Sequence, residues 1–409
     1  MRLGVQILSL RPGQVGGQEV LVRRLFRRML PMADDDRIVV FHRPELADEA
    51  EWRPVLGDPK VESVPGRPEE HYGDGYAGWA LKIMRDAGVD AAFFPLFFFF
   101  PRPLPIPVVV HIPDLQHEFY PEYFPPDQLA WRRERIPESV AMADAVVTCS
   151  EFSAATMREK LNADPARLHV IRAGGFLQEE MNATDSFVPG VSPRTHSPFP
   201  NLCGTGFQPV GLQGFGIGSK ERAIDVSGDV PFVFYPAADW PHKNHETLLR
   251  AMALLARRGR PERLALTGMF SQHGDALKTL ANNLGIADRV HFLGCVEQAV
   301  LIGLYRRAKV MAFPSRFEGF GLPLVEAMQL GCPIVASRAE AVIETAGEAA
   351  LFCDDSPESW AAALARVLDS PDVQTDLRRR GAVRAADFGW GAAAERFLGL
   401  FRSLAVKRS

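Results

Sequence analysis

The residues best placed to do chemistry lie in one stretch, Phe313-Pro314-Ser315-Arg316-Phe317-Glu318-Gly319-Phe320-Gly321-Leu322-Pro323-Leu324-Val325-Glu326-Ala327-Met328. An apolar run ending at Pro314 reads as a buried strand, a glycine-bearing loop follows, and Pro323 stands where a first helical turn accepts proline. Amides at a helix N-terminus lack intrahelical partners, so Gly319, Phe320, Gly321 and Leu322 offer a ready anion site. Gly319 and Gly321 also let a ligand approach the backbone closely. Glu318 precedes the loop, and Glu326 is read into the first turn of the helix. Two carboxylates eight residues apart then bracket an anion pocket, which suits a ligand with hydroxyls to bond and phosphates to neutralise. The competing reading makes Glu326 a helix cap and Glu318 a solvated side chain.

Such a loop needs a scaffold of strands and helices, and the chain supplies two. Apolar runs at residues 3–8, 37–41, 91–94, 108–112, 145–148 and 169–172 alternate with helix-like patterns, the signature of a parallel sheet covered on both faces. The rhythm stops between about 178 and 230, where Pro189, Gly190, Pro193, Pro198 and Pro200 give way to Gly204, Gly206, Gly211, Gly214, Gly216 and Gly218. Such a stretch predicts a linker or inserted surface loop. Its GxGxG has no strand before it and no amphipathic helix after it, so a dinucleotide site is not expected there. A second series follows at 232–235, 263–267, 290–293, 310–314, 333–336 and 350–353. The expected architecture is α/β, with domains at 1–177 and 231–409 joined by 178–230. The site is expected in the cleft between the halves, at the carboxyl ends of the strands.

Composition narrows the functional classes. A chain of 409 residues exceeds one ordinary core, and hydrophobic and charged fractions of 47% and 23% match soluble globular proteins rather than disordered or fibrous ones. A net charge of -4 gives no reason to expect nucleic acid as a partner. Arg23, Arg24, Arg27 and Arg28 recur at helical spacing opposite Leu21, Leu25 and Met29, which reads as a solvated face or a surface for anionic lipid or a phosphate-bearing acceptor. Five scattered cysteines without CxxC spacing indicate neither a disulfide framework nor a zinc site and fit a reducing, cytoplasmic setting. The first ten residues read as a strand rather than a leader peptide, and no apolar run approaches the roughly 20 residues of a spanning helix. Membrane contact is expected to be peripheral at most.

Glu318 and Glu326 in this setting resemble the E-x7-E motif of retaining glycosyltransferases of family 4, which have the GT-B fold. The segment Gly331-Cys332-Pro333-Ile334-Val335-Ala336-Ser337 is similar to that family's continuation. The resemblance implies two facing Rossmann-like doubly wound domains, with a C-terminal helix packing back on the first. It also implies a nucleotide-diphosphate sugar as donor, a glycan or lipid-linked acceptor, and transfer with retention of configuration. Carried onto this chain, it has Glu326 bind the ribose hydroxyls, while Glu318 and the 319–322 amides hold the sugar and distal phosphate.

Tyr235-Pro236-Ala237-Ala238-Asp239-Trp240-Pro241-His242-Lys243-Asn244-His245 looks like the family's donor-phosphate segment, with Lys243 in the lysine position and His242 where an arginine often stands. The glycine-rich first loop, Pro12 to Glu19 with Gly16 and Gly17, looks like the family's acceptor-side loop. In His111-Ile112-Pro113-Asp114-Leu115-Gln116-His117-Glu118, Asp114 matches the aspartate of the family's His-Asp pair and Pro113 takes the histidine's place. His117 or His111 is expected to substitute, with His117 preferred. The family's front-face mechanism lets the departing diphosphate help take the acceptor's proton, leaving Lys243 and the helix N-terminus to meet its charge. Nothing resembles a DxD metal clamp in a donor setting, so no cofactor and no essential metal are expected. The Trp-Pro-His-Lys-Asn and Pro-Asp-Leu-Gln-His segments resemble those of relatives that work on surface polysaccharides, often with mannose donors, which makes GDP-mannose rather than a UDP-sugar the first donor to test. The alternatives are an epimerase of the same fold and a silent nucleotide-sugar-binding protein.

Overall fold

The computed structural model describes residues 1–10, 17–66, 82–97, 104–182 and 230–406. The first sheet contains β1 (Arg2–Gln6), β2 (Arg37–His42), β3 (Val61–Pro65), β4 (Ala91–Phe94), β5 (Val108–His111), β6 (Ala145–Thr148) and β7 (Leu168–Val170), in the order β3-β2-β1-β4-β5-β6-β7. The second contains β8 (Phe232–Pro236), β9 (Arg263–Thr267), β10 (Val290–Phe292), β11 (Val310–Phe313), β12 (Ile334–Ala336) and β13 (Ala350–Phe352), in the order β10-β9-β8-β11-β12-β13. Every pairing is parallel.

The central strands are buried along their whole length because the crossover helices cover both faces, which is why they read as unbroken apolar runs. β3 escaped that reading. Its sequence, VESVP, is half exposed at the sheet edge, so it carries no apolar run to find. In each sheet the order reverses once, between β1 and β4 in the first and between β8 and β11 in the second. Loops leaving the carboxyl ends there diverge, and the crevice between them is where such sheets hold ligands.

The chain divides into two compact units. One comprises Met1–Gly175, Glu318–Leu322 and Phe388–Ser409; the other comprises Phe176–Phe317 and Pro323–Asp387. Residues 318–322 therefore depart from the contiguous division at 177 and 231, because periodicity reveals an element's type and not which core it packs on, while the C-terminal segment joins the first unit as the family resemblance implied. The helix Trp390–Val406 packs on the helix Gly17–Met29 of its own unit. Phe397 and Phe401 meet Phe93 of β4 at ring-centroid distances of 5.4 and 5.3 Å. The Trp390 indole N–H donates to the Gly175 carbonyl at 2.6 Å, and a Cβ on Gly174 would lie 2.5 Å from the same ring.

That packing corrects the reading of the basic helix face. Arg23 and Arg24 are 8% and 2% exposed, and Arg23 is ion-paired with Glu51, so neither guanidinium is displayed to a bilayer. Arg27 and Arg28 are half-buried. No helix among the described residues is long and apolar enough to cross a membrane. The cysteine reading also changes, since Cys295 is disulfide-bonded, while Cys149, Cys332 and Cys353 are free and buried. Residues Gln178–Asn182, read as the start of the linker, form a short helix whose Met181 carbonyl accepts from Arg306 at 3.3 Å. The GxGxG at 214–218 lies outside the described residues.

Candidate functional site

The second unit presents its polar residues at the β8 and β11 carboxyl ends, adjacent strands at the reversal point. After β8 the chain enters the short turn Pro241–Lys243 and, past Asn244, the helix His245–Arg257. Asn244 adopts φ +57°, a left-handed conformation that asparagine tolerates better than most residues. The buried Tyr235 hydroxyl donates to the Lys243 carbonyl at 2.9 Å, which fixes the turn from beneath. Lys243 is half-buried. His242 is 8% exposed, and burial, then the neighbouring Lys243 and His245, push its pKa down to about 2. It is neutral, and so does not replace the cation that an arginine would bring to this position.

The β11 end is stitched to this turn. The Arg316 amide donates to the His242 carbonyl at 2.8 Å, and the fully buried Ser315 hydroxyl reaches the same oxygen at 3.4 Å. Glu326 stands in the helix Leu322–Gln329, but a turn further in than the sequence reading put it, because the helix begins at Leu322. It is 6% exposed, and its Oε2 accepts from the Tyr305 hydroxyl at 3.0 Å. Lying beyond the first turn, it is not placed to cap the helix, so the capping reading fails. Gly321, just before the helix, has φ +89°, a conformation that calls for glycine.

Residues 318–322 fall in the first unit, whose candidate residues gather after β5. Asp114 accepts from the Gln116 amide at 2.9 Å. A Cβ on Gly319 would come within 2.6 Å of the Pro113 carbonyl oxygen and 2.8 Å of Asp114 Oδ2, so only glycine fits there. The Ser150 hydroxyl donates to the Gly319 carbonyl at 2.6 Å, and Ser153 donates to the Pro113 carbonyl at 2.8 Å. Glu318 is half-buried, while Phe320 is buried and stacks edge-on with Phe388 at 5.7 Å. Leu322 is half-buried.

The two histidines differ. His111 is enclosed, with Nδ1 3.3 Å from the Pro95 carbonyl oxygen and Nε2 3.3 Å from Cys149 Sγ. Burial lowers its pKa to about 4, and burial followed by the Asp114 charge raises that of Cys149 to about 12. The consistent arrangement is a neutral imidazole donating from Nδ1 and accepting the thiol proton at Nε2. His111 is thus satisfied inside the core. His117 is equally buried, but its Nδ1 lacks a hydrogen-bond partner. Its pKa falls to about 4 through burial first and then the Arg132 charge. Arg132 lies over the Phe97 and Phe124 rings at 4.8 and 4.9 Å, with Nε buried and unpartnered. Gly17 opens its helix with open space where a Cβ would stand, so sterics make no demand for glycine there. Gly16 lies outside the described residues.

Sequence reasoning passed over Tyr305, Asn244, Arg316 and Asp355. Asn244 was visible beside Lys243. Nothing local marks Asp355, which follows the short strand β13 far along the chain.

Two such parallel sheets define a protein of the GT-B glycosyltransferase fold. Residues 15–174 match the family described as Glycosyltransferase Family 4, and residues 219–384 match Glycosyl transferases group 1. The chain is similar to the D-inositol 3-phosphate glycosyltransferase of Kineococcus radiotolerans, 30% identical over 66% of this chain and 59% of that protein. It is also similar to the O-antigen chain mannosyltransferase B of Escherichia coli, 29% identical over 66% of this chain and 63% of that protein. The matches thus span about three fifths of the length of these relatives. Among solved structures, WaaG, a glycosyltransferase involved in lipopolysaccharide biosynthesis, matches with a TM-score of 0.66 and 14% identity over 98% of this chain and 99% of that one.

Proposed function

We propose that this protein is a retaining glycosyltransferase that moves a hexose, mannose from GDP-mannose being the first candidate, to a glycan or lipid-linked acceptor. The observation that carries the reading is the position of Lys243 and of the Glu326 helix after β8 and β11, at the point where the second sheet reverses its strand order. That is where an α/β sheet binds a nucleotide. In this reading Glu326, held by Tyr305, bonds the ribose hydroxyls. Lys243 meets the charge that grows on the departing diphosphate, and Glu318 with the 319–322 amides holds the sugar and distal phosphate. His242 contributes a neutral hydrogen-bonding group. On the acceptor side Asp114 and His117 carry the contact, and His111 serves the core. The donor is a co-substrate and the reaction needs no metal, because a lysine and amides meet the phosphate charge. Both relatives are sugar transferases, which disfavours the epimerase alternative.

Incubation with labelled GDP-mannose, UDP-sugars and a panel of glycan and lipid-linked acceptors tests the proposal. The expected outcome is transfer that survives EDTA, with the donor's anomeric configuration kept in the product by proton NMR. Isomerised free nucleotide sugar, binding without turnover, an inverted product, or EDTA inactivation reversed by magnesium or manganese would each contradict part of it.

A further inference from the structure

Three segments of the second unit converge on one carboxylate. Asp355 Oδ1 accepts from Asn244 Nδ2 at 2.7 Å and from the Thr247 hydroxyl at 3.5 Å, and its Oδ2 accepts from Arg316 Nε at 2.7 Å. Asn244 follows Lys243 directly and sits at φ +57°, the point at which the chain turns into the next helix. Its side-chain amide also reaches the Pro314 carbonyl at 3.3 Å. Arg316 stands two residues before Glu318, and its own amide holds the His242 carbonyl. The carboxylate lies just past the end of β13, three strands away from β8, and belongs to neither loop it joins.

Stability accounts for the bond to the buried Asn244 amide but not for the ion pair. The Arg316 and Asp355 side chains are 41% and 44% exposed, and exposed ion pairs contribute little to folding. What the contacts do fix is the register of the Lys243 turn against the β11 loop, and precise placement is what a transition-state contact requires. We propose that Asp355 is a positioning residue that sets Lys243 and the β11 loop together for sugar transfer, an inference that rests on the transferase reading above.

Asp355→Ala, Asn244→Gly and the double variant test it in the full chain. Glycine at 244 removes the amide while keeping the left-handed backbone accessible. The expected result is a kcat at saturating donor lower by about tenfold or more in Asp355→Ala, as misplacement of transition-state contacts allows. Melting temperature and the stabilisation by added GDP or UDP should stay near wild type. The double variant should lose less than the sum of the two single losses, because the Asn244–Asp355 bond is common to both. Asp355→Asn, which can accept from Asn244 or Arg316 but not serve both as a carboxylate does, should fall between. An unchanged kcat in folded Asp355→Ala, fully additive losses, or a loss that follows melting temperature alone would overturn the inference while leaving the transferase reading intact. A wild-type chain that neither binds nucleotide nor transfers sugar sinks the transferase reading, and this one with it.

Discussion

The carboxyl ends of β8 and β11 flank the reversal of the second sheet and that of β5 lies one strand beyond the reversal of the first, and the two regions use their prominent polar residues differently. In the second unit the side chains bond across loops. Asn244, Ser315, Arg316 and Asp355 tie one turn to the next, and Tyr305 fixes Glu326. In the first unit His111 spends its hydrogen bonds inside the core, and burial keeps both it and His117 neutral. A polar residue after a strand is therefore not by itself a site residue. What separates the two cases is whether its hydrogen bonds run into the core or fix a neighbouring loop.

The largest expected effect lies at Lys243. If it meets charge that develops as the diphosphate leaves, Lys243→Ala should lower kcat by about a hundredfold or more in a protein of unchanged circular dichroism. Steady-state kinetics decide the matter, and a folded variant with near wild-type turnover would erase the contrast between the two strand ends.

His111 sharpens the other half of the comparison. Replacing it by alanine strands the Cys149 thiol and the Pro95 carbonyl, and should cost about 1–3 kcal/mol of stability with kcat of the folded enzyme nearly unchanged. Its acid response has a defined sign. The unfolded chain takes up this proton near pH 6.5 and the folded chain only near 4, so the unfolded state binds more protons between those values and stability falls as pH drops through that window. His117 acts in the same direction. Urea midpoints at pH 7 and pH 5 should differ less in His111→Gln than in wild type. Equal differences would mean that His111 is not the buried neutral group described here.

A smaller effect is expected at Tyr305. Tyr305→Phe removes the hydroxyl bonded to Glu326 and should raise donor KM by about fivefold, the equivalent of about 1 kcal/mol, with kcat little changed. A loss confined to kcat would mean that Glu326 acts on the reacting sugar instead.

Much of this was legible in the sequence, for reasons that differ by element. Buried central strands such as 91–94, 145–148 and 263–267 announce themselves because both faces are covered, whereas the half-exposed edge strand β3 does not. Glu318 and Glu326 stood out through spacing and glycine context, and Lys243 through the resemblance of its segment to the family's donor-phosphate stretch. Tyr305 and Asp355 did not, because each reaches its partner through sheet topology rather than along the chain. The exchange of residues 318–322 into the first unit was hidden for the same reason, whereas the return of the C-terminal helix to that unit was expected from the family resemblance. His111 misled because a β-strand's last residue can point into the core or out of it, and residue type does not say which.

The account's central claim is that the β8 and β11 ends bind the donor nucleotide through Glu326. Calorimetric titration of GDP and UDP into wild type and Glu326→Ala tests it most directly, with thermal unfolding as the folding control. The account predicts one nucleotide bound per chain by wild type and affinity lower by about tenfold or more in the variant, the range of a buried charged hydrogen bond lost. Equal affinity in two equally folded proteins would contradict it.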